Sequence, residues 1–308
     1  MKICVQSGGI IDHFDTETTY DVIAKSGFEG IDWNAIEHAC KPAEWKDGCV
    51  YDKPLEECVE YFREEYAIIR KHGLVISQAH APFPCYDPKD PGRFEYMLGV
   101  YKRMIEVCQY YQVPRVVVHA AVCSFETKLT TPESVREINR VLYESLIPTL
   151  QVCPDVTVCL ENLFEWSNMT AHEGFCCDAR EAVEWIDDLN AKAGRKAFGF
   201  CLDTGHLNML RKDLRTFIPM LGDRLVCLHI HDNDGTRDTH VAPLTGTVAW
   251  GHMCQALKQI NYQYDLSFET FIQARKAHFF DQSLLLPWLT VMAKTAEAFR
   301  RRILDKEE

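Results

Sequence analysis

The chain has 308 residues, 47% hydrophobic and 25% charged, with a formal net charge of −12. These are the proportions of a globular protein with a large core, and the acidity argues against a nucleic-acid partner. No apolar run reaches the ~18 residues of a membrane helix. The first residues lack a signal-peptide pattern, and 14 cysteines without a C-x-x-C pair read as reduced, mostly buried thiols, so a cytoplasmic protein with no membrane partner is expected.

In chain order, strand-like and helix-like segments alternate. Lys2–Gln6 reads as a first strand. A helix over Thr16–Ser26 follows, with Asp15 as N-cap and Gly27 past its end. Phe28–Trp33 is a second strand, and the irregular stretch from Asn34 to Lys53 is expected to cap a pocket. Pro54 opens a helix running to about His72, because a first-turn proline loses no hydrogen bond. Leu74–His80 is a third strand, whose exit, Ala81-Pro-Phe-Pro84, cannot be helical. A helix over Arg93–Tyr111 precedes a fourth strand, Arg115–Ala120. Its run of three valines is the mark of a strand covered on both faces. One helix is expected from Thr131 to about Val152, then a fifth strand, Val156–Glu161, and a loop carrying Trp166. A helix from Asp178 to about Leu189, a sixth strand, Ala197–Asp203, and a helix from about Leu207 come next. Leu225 to His231 reads as a seventh strand, Val248–Ile260 as a helix, Leu266–Glu269 as the eighth strand and Leu284–Ile303 as the closing helix.

Eight strand–helix units with parallel strands predict an α/β protein, one (β/α)₈ TIM barrel spanning residues 1–308. An open doubly wound sheet would want a glycine-rich phosphate turn after the first strand. Gln6-Ser-Gly-Gly9 is too short for one.

The strand exits carry the chemistry. Strands three to eight end at His80, His119, Glu161, Asp203, His231 and Glu269. A barrel brings all these ends to one rim, where barrel enzymes keep their active sites. A single strand-end histidine is more often structural, but six such residues in succession on apolar strands are hard to reach by chance. Three carboxylates beside an imidazole would repel one another, and a divalent cation removes that cost. Glu161, Asp203, His231 and Glu269 offer three oxygens and one nitrogen without a thiolate, suiting Mn²⁺, Co²⁺, Mg²⁺ or Zn²⁺. His206, three residues after Asp203, and Arg237, in the loop after strand seven, share the rim. Trp33, Phe83, Phe164 and Trp166 are loop aromatics that either pack or wall a sugar. Trp185 and Trp288 fall within helices and read as core.

The segments His80-Ala-Pro-Phe, Val118-His119, Leu160-Glu161-Asn162, Cys201-Leu-Asp203-Thr-Gly-His206, His229-Ile-His231-Asp-Asn-Asp and Phe268-Glu269 resemble the xylose-isomerase-like barrel superfamily. That group holds sugar isomerases, ketose 3-epimerases, dehydratases and the endonuclease IV branch. The resemblance implies one divalent ion on Glu161, Asp203, His231 and Glu269, with Glu161 and Glu269 also transferring protons. It implies that His206 and Arg237 hold substrate oxygens. The glutamate that 3-epimerases carry six residues after the first ligand is Ser167 here, with Glu165 offset. The endonuclease branch holds three zinc ions through nine residues, and His80, His119, Glu161, Asp203, His206, His231, Asp238, His240 and Glu269 match all nine in type. The loop Val241-Ala-Pro-Leu-Thr-Gly246 departs from the Gly-Glu-Gly turn of both branches, and the acidic balance disfavours a DNA backbone.

The expected function is a metal-dependent isomerase or epimerase acting on a small carbonyl sugar by proton abstraction next to the carbonyl, through an enediolate. His80, His119, Asp238 and His240 are expected behind the ion or at the far end of the sugar, with Trp33 and Trp166 at the mouth. A lyase or dehydratase of the same scaffold and a three-zinc phosphodiesterase are the alternatives. Pairing into homo-oligomers is expected from the family alone.

Overall fold

The computed structural model describes residues 1–40, 49–87, 89–121 and 132–305. Its strands are β1 (Ile3–Gln6), β2 (Gly30–Asp32), β3 (Val75–His80), β4 (Arg115–Val117), β5 (Thr157–Glu161), β6 (Phe164–Ser167), β7 (Thr170–Glu173), β8 (Phe198–Asp203), β9 (Leu225–His229) and β10 (Leu266–Phe268). Eight of them run parallel in the order β10-β1-β2-β3-β4-β5-β8-β9. The last seam, between β9 and β10, is held by one parallel bridge from Ile230 to Phe268. Two hydrogen bonds make it: Ile230 N to Ser267 O at 2.9 Å and Glu269 N to Ile230 O at 3.0 Å. With helices between the strands, this is a single (β/α)₈ TIM barrel, as the strand count predicts.

The helices lie where the caps and punctuation put them. Thr16–Ser26 is capped by Asp15, whose carboxylate accepts from Thr18 N, and ends at Gly27 with φ 102°. That left-handed conformation costs glycine little. Leu55–Lys71 and Pro91–Tyr110 match their expected helices within two residues.

Alternation along the strands decides what fills the barrel. Val117, Cys159, Cys201 and Cys227 form an inner cluster separate from the larger core between strands and helices. Residues two apart on a strand share a face. The inward-facing Cys159, Cys201 and Cys227 therefore put Glu161, Asp203 and His229 on the barrel axis, one layer nearer the rim. All six residues of β8 are buried, from Phe198 to Asp203, as a strand covered on both faces requires.

Four features differ from the sequence reading. The helix expected from Thr131 to Val152 is two, Pro132–Glu144 and Ile147–Val152. Pro148 has no N–H for the carbonyl four residues back, so the first helix stops before it. Thr131 itself lies outside the described residues. The loop after β5 folds into the antiparallel hairpin β6–β7. The helix placed from Leu207 begins at Thr204, and further helices form at Gly8–Ile11, Leu214–Leu221 and Ile272–Phe280. Trp185 is core, but Trp288 is 40% exposed. Of the stretch from Asn34 to Lys53, residues 41–48 lie outside the described residues. The rest holds a short helix, Ala35–His38, and a 3₁₀ turn, Val50–Asp52. Among the described residues no helix is long and apolar enough to cross a membrane.

Candidate active site

The strand exits meet in one cavity of about 380 Å³ at the C-terminal rim, within the ~300–1,000 Å³ typical of small-molecule sites. His80, His119, Glu161, His206, Asp238, His240 and Glu269 line it, and Asp203 and His231 lie beneath, both fully buried. His231 Nε2 stands 3.0 and 2.9 Å from the two oxygens of Asp203. Asp203 also caps the helix Thr204–Met209, its Oδ1 accepting from His206 N at 2.7 Å. Asn162 fixes the rim between β5 and β8. Its side chain accepts from Asp203 N and donates to Asp203 O, both at 2.9 Å.

Donor atoms fall into overlapping triads whose members lie within 4.8 Å of one another. Asp203 with His206 and His231 makes one, His231 with His240 and Glu269 a second, and Asp203 with His229 and Glu269 a third. Glu161 groups with His80 and His119, and separately with Cys201 and His229. Three of the four expected ligands, Asp203, His231 and Glu269, are thus chained through shared triads, and Glu161 joins them through His229. Asp238 Oδ1 is buried without a hydrogen-bond partner. His119 Nε2 is 3.0 Å from both His80 Nε2 and Glu161 Oε2. One ring nitrogen carries one hydrogen or one lone pair and serves only one of these neighbours well. Oxygen and imidazole donors converging with an orphaned carboxylate oxygen fit a hard or borderline divalent cation.

The charges lean the same way. Burial works against the charged form of Glu161, yet His229 and His119 hold its carboxyl well below the ordinary carboxylate value. Asp238 is likewise held well below, against burial, by His240 and His206. Burial pushes His119 down to about 4. Burial also opposes charge on His80, but Glu161, 3.8 Å from its Nε2, and the charge of Glu37 bring it up to about 9. His240 reaches about 9 against burial, through Glu269 and Asp238.

Three residues from the sequence reading stand elsewhere. Trp33 does not line the cavity. It is fully buried on the outer side of β2, packed on Phe62 and Tyr111 at 5.5 and 5.6 Å between ring centroids, its Nε1 donating to Glu65 at 3.0 Å. Asp32, one residue earlier, faces inward, so alternation sends Trp33 out. Trp166 sits on β6 behind Phe164, 6.4 Å between centroids, and is not a cavity residue. Arg237 is exposed, its loop turned so that Asp238 and His240 enter instead. The aromatic walls are Phe83, Phe164 and Phe271, each against a histidine: His119 at 4.4 Å, His206 at 5.0 Å and His240 at 4.7 Å.

Three site residues, Gln6, Asp32 and Glu37, escaped the strand-exit reading, which began at strand three, and His229, on one strand face with His231, was given no role there. Gln6 and Asp32 end β1 and β2. Gln6 Nε2 donates to Glu269 Oε1 at 3.2 Å, and Asp32 Oδ2 lies 3.4 Å from His229 Nε2. His229 carries the same period-two signal as His231. Glu37, on the short helix after β2, had no such signal; it lines the cavity and burial raises its pKa.

The family described as xylose isomerase-like TIM barrel matches residues 20–301. The chain belongs to this family. Among proteins of known structure, D-psicose 3-epimerase in the presence of D-fructose superposes with a TM-score of 0.70 at 16% identity, over 99% of each chain. The 3-keto-D-glucoside 4-epimerase YcjR from E. coli gives 0.67 at 18%, over 94% of this chain and 99% of that one. IOLI protein with a bound zinc atom gives 0.65 at 19%, over 99% of each. At such identities the likeness shows the shared fold. By sequence, D-psicose 3-epimerase of Enterocloster bolteae is 29% identical over 105 residues, 34% of this chain and 32% of that protein. The uncharacterized protein y4fM of Sinorhizobium fredii is 38% identical over 72 residues, 23% of each chain. The matched stretch thus spans only about a quarter to a third of the length of these two curated relatives.

Proposed function

We propose that this xylose isomerase-like barrel is a divalent-metal-dependent sugar epimerase or isomerase. The observation that carries this reading is the convergence of Glu161 and Glu269 on one cavity with Asp203 and His231 in shared donor triads. The epimerase relatives support it. Glu161, Asp203, His231 and Glu269 would hold the ion, which when bound supplies Lewis-acid stabilisation of negative charge on a substrate oxygen. Glu161 or Glu269 takes the proton from the carbon next to the carbonyl, and the other carboxyl returns one. A positioned acid–base group of this kind contributes roughly 10²- to 10⁴-fold. His206, Asp238 and His240 orient hydroxyls. With Arg237 outside and Ser167 where 3-epimerases carry a glutamate, hydroxyl recognition differs from theirs. The substrate is a small, carbonyl-bearing sugar, walled by Phe83, Phe164 and Phe271.

The test is incubation of ketoses with the protein and Mn²⁺ in D₂O. Deuterium entering the carbon next to the carbonyl without elimination supports the epimerase or isomerase. Loss of water or an aglycone points to the lyase. Glu269→Gln is expected to lower kcat by about 10² or more, and full turnover by that variant removes Glu269 from the mechanism.

A second reading has one observation in its favour. The His80–His119–Glu161 triad is separate from the Asp203–His206–His231 triad, and several ions could be held. Metal analysis decides: about three tightly held zinc ions per chain, with cleavage of abasic DNA, would favour the phosphodiesterase.

A further inference from the structure

His229 has no part in the proposed chemistry, yet both proton-transfer carboxylates face it. It is the last residue of β9 and 1% exposed. Its Nδ1 lies 3.3 Å from Glu161 Oε1 and 3.4 Å from Glu269 Oε2. On the other side of the ring, Nε2 lies 3.4 Å from Asp32 Oδ2. Asp32 is itself anchored, its Oδ2 accepting from Gln78 Nε2 at 2.9 Å. Gln78 Oε1 in turn accepts from the Cys227 thiol at 2.8 Å. Every member of this chain behind the ring is buried.

The arrangement has a physical consequence. Two carboxylates at the ends of rotatable side chains repel each other and spread unless something holds them. The His229 ring, with Asp32 behind it, stands between one oxygen of each, within ionic reach of both although its Nδ1 is in hydrogen-bond geometry with neither, and the second oxygen of each points away. Glu161 Oε2 then faces His119 at 3.0 Å, and Glu269 Oε1 meets Gln6 Nε2 at 3.2 Å. One side chain thus lies between the two carboxylates, while His119 and Gln6 meet their outer oxygens. Transfer to opposite sides of one carbon demands such spacing, because misplacement by ~1 Å can cost about 10²-fold.

We propose that His229, oriented by Asp32, is a positioning residue that sets the spacing of Glu161 and Glu269 for two-sided proton transfer. The inference rests on the proton-transfer reading above. It separates from a packing role because the two ring nitrogens have different jobs. An asparagine amide falls near the place of Nδ1, whereas a glutamine amide falls near that of Nε2 and is closer to histidine in size.

The experiment compares His229→Asn and His229→Gln in the Mn²⁺-loaded protein. Three quantities are read: ion bound per chain, deuterium exchange at the substrate carbon, and net conversion to product. His229→Asn is expected to convert within about tenfold of the wild type, and His229→Gln to fall by on the order of 100-fold. In His229→Gln, exchange should fall less than conversion, because a single carboxylate still removes and returns the proton on one side. Better conversion by Gln than by Asn would mean packing alone and overturn the proposal. Loss of bound ion in both variants would make His229 a ligand and overturn it as well. If the wild type exchanges no label with any ketose, the proposed function fails, and a crystal structure of His229→Gln decides His229 by itself. Carboxylates of Glu161 and Glu269 displaced from their present spacing support the inference; unmoved carboxylates refute it.

Discussion

Gly205 shows how tightly single residues are constrained at this rim. A Cβ there would stand 2.0 Å from His231 Cε1 and 2.5 Å from its Nδ1. His231 is fully buried and holds both oxygens of Asp203, so the ring cannot yield without leaving its carboxylate. Gly205→Ala is expected to cost ~1–3 kcal/mol of stability by overpacking and to weaken divalent-ion binding more than tenfold, read by calorimetric titration with Mn²⁺. Unchanged affinity would place the ion away from His231. On the other side of the barrel wall, Glu65 accepts from Tyr20 OH and Trp33 Nε1. Burial raises its pKa above the ordinary 4.5, against those two hydrogen bonds. A folded-state pKa above the unfolded one means the protonated form favours folding. That contribution is present below the ordinary value and is lost as pH rises through the folded value. Glu65→Gln keeps an acceptor for Trp33 and removes the titration. Denaturant unfolding between about pH 4 and about pH 7 should show the wild type losing stability relative to the variant just above 4.5. Parallel curves would contradict the burial of this carboxyl.

At the scale of elements, the loop after β9 decides which of its polar residues reach the cavity. Asp232 is its staple. The buried carboxylate accepts from Asn233 N at 3.0 Å, Val248 N at 3.1 Å, Gly246 N at 3.0 Å and Trp250 Nε1 at 3.0 Å. Removing it orphans four donors, each costing roughly 1–3 kcal/mol when buried without a partner. Asp232→Ala is therefore expected to lower stability by several kcal/mol and to open the loop to protease between Asp234 and Gly246. A variant with native melting temperature and no new cleavage would show the staple to be dispensable. The helix Ala179–Ala193 supplies a contrasting control. Its N-cap, Asp178, accepts from Arg180 N and Glu181 N, and Asp178→Ala should cost about 1 kcal/mol without changing activity.

In the whole molecule, the seam between β9 and β10 carries only the Ile230–Phe268 bridge, and His231 and Glu269 flank it. An ion shared by these two would clasp the barrel where its backbone pairing is sparsest. A ligand at a hundred times its Kd adds about 2.7 kcal/mol to stability. Mn²⁺ is expected to raise the melting temperature and slow amide exchange at Ile230 and Glu269, and a chelator to reverse both. Equal exchange with and without the ion would put its site elsewhere.

Most of the barrel and the strand-exit residues of the candidate site were legible because their signals are local. Alternation along a strand is a property of neighbouring residues, so the exits at Glu161, Asp203, His231 and Glu269 could be read before any contact was known. The same rule, carried back to strands one and two, reaches Gln6 and Asp32. It also turns Trp33 outward, where the sequence reading had placed it at the mouth. What the chain alone determined is therefore the strand count, the parallel order that the intervening helices require, and the side chains aimed along the axis. Tertiary structure decided the rest: Arg237 outside and Asp238 inside, the hairpin that carries Phe164 to His206, and His229 between two carboxylates. These depend on groups far apart in the chain, such as Asp232 with Trp250 or His229 with Glu161 and Asp32, and no periodicity within a segment encodes a distance between segments.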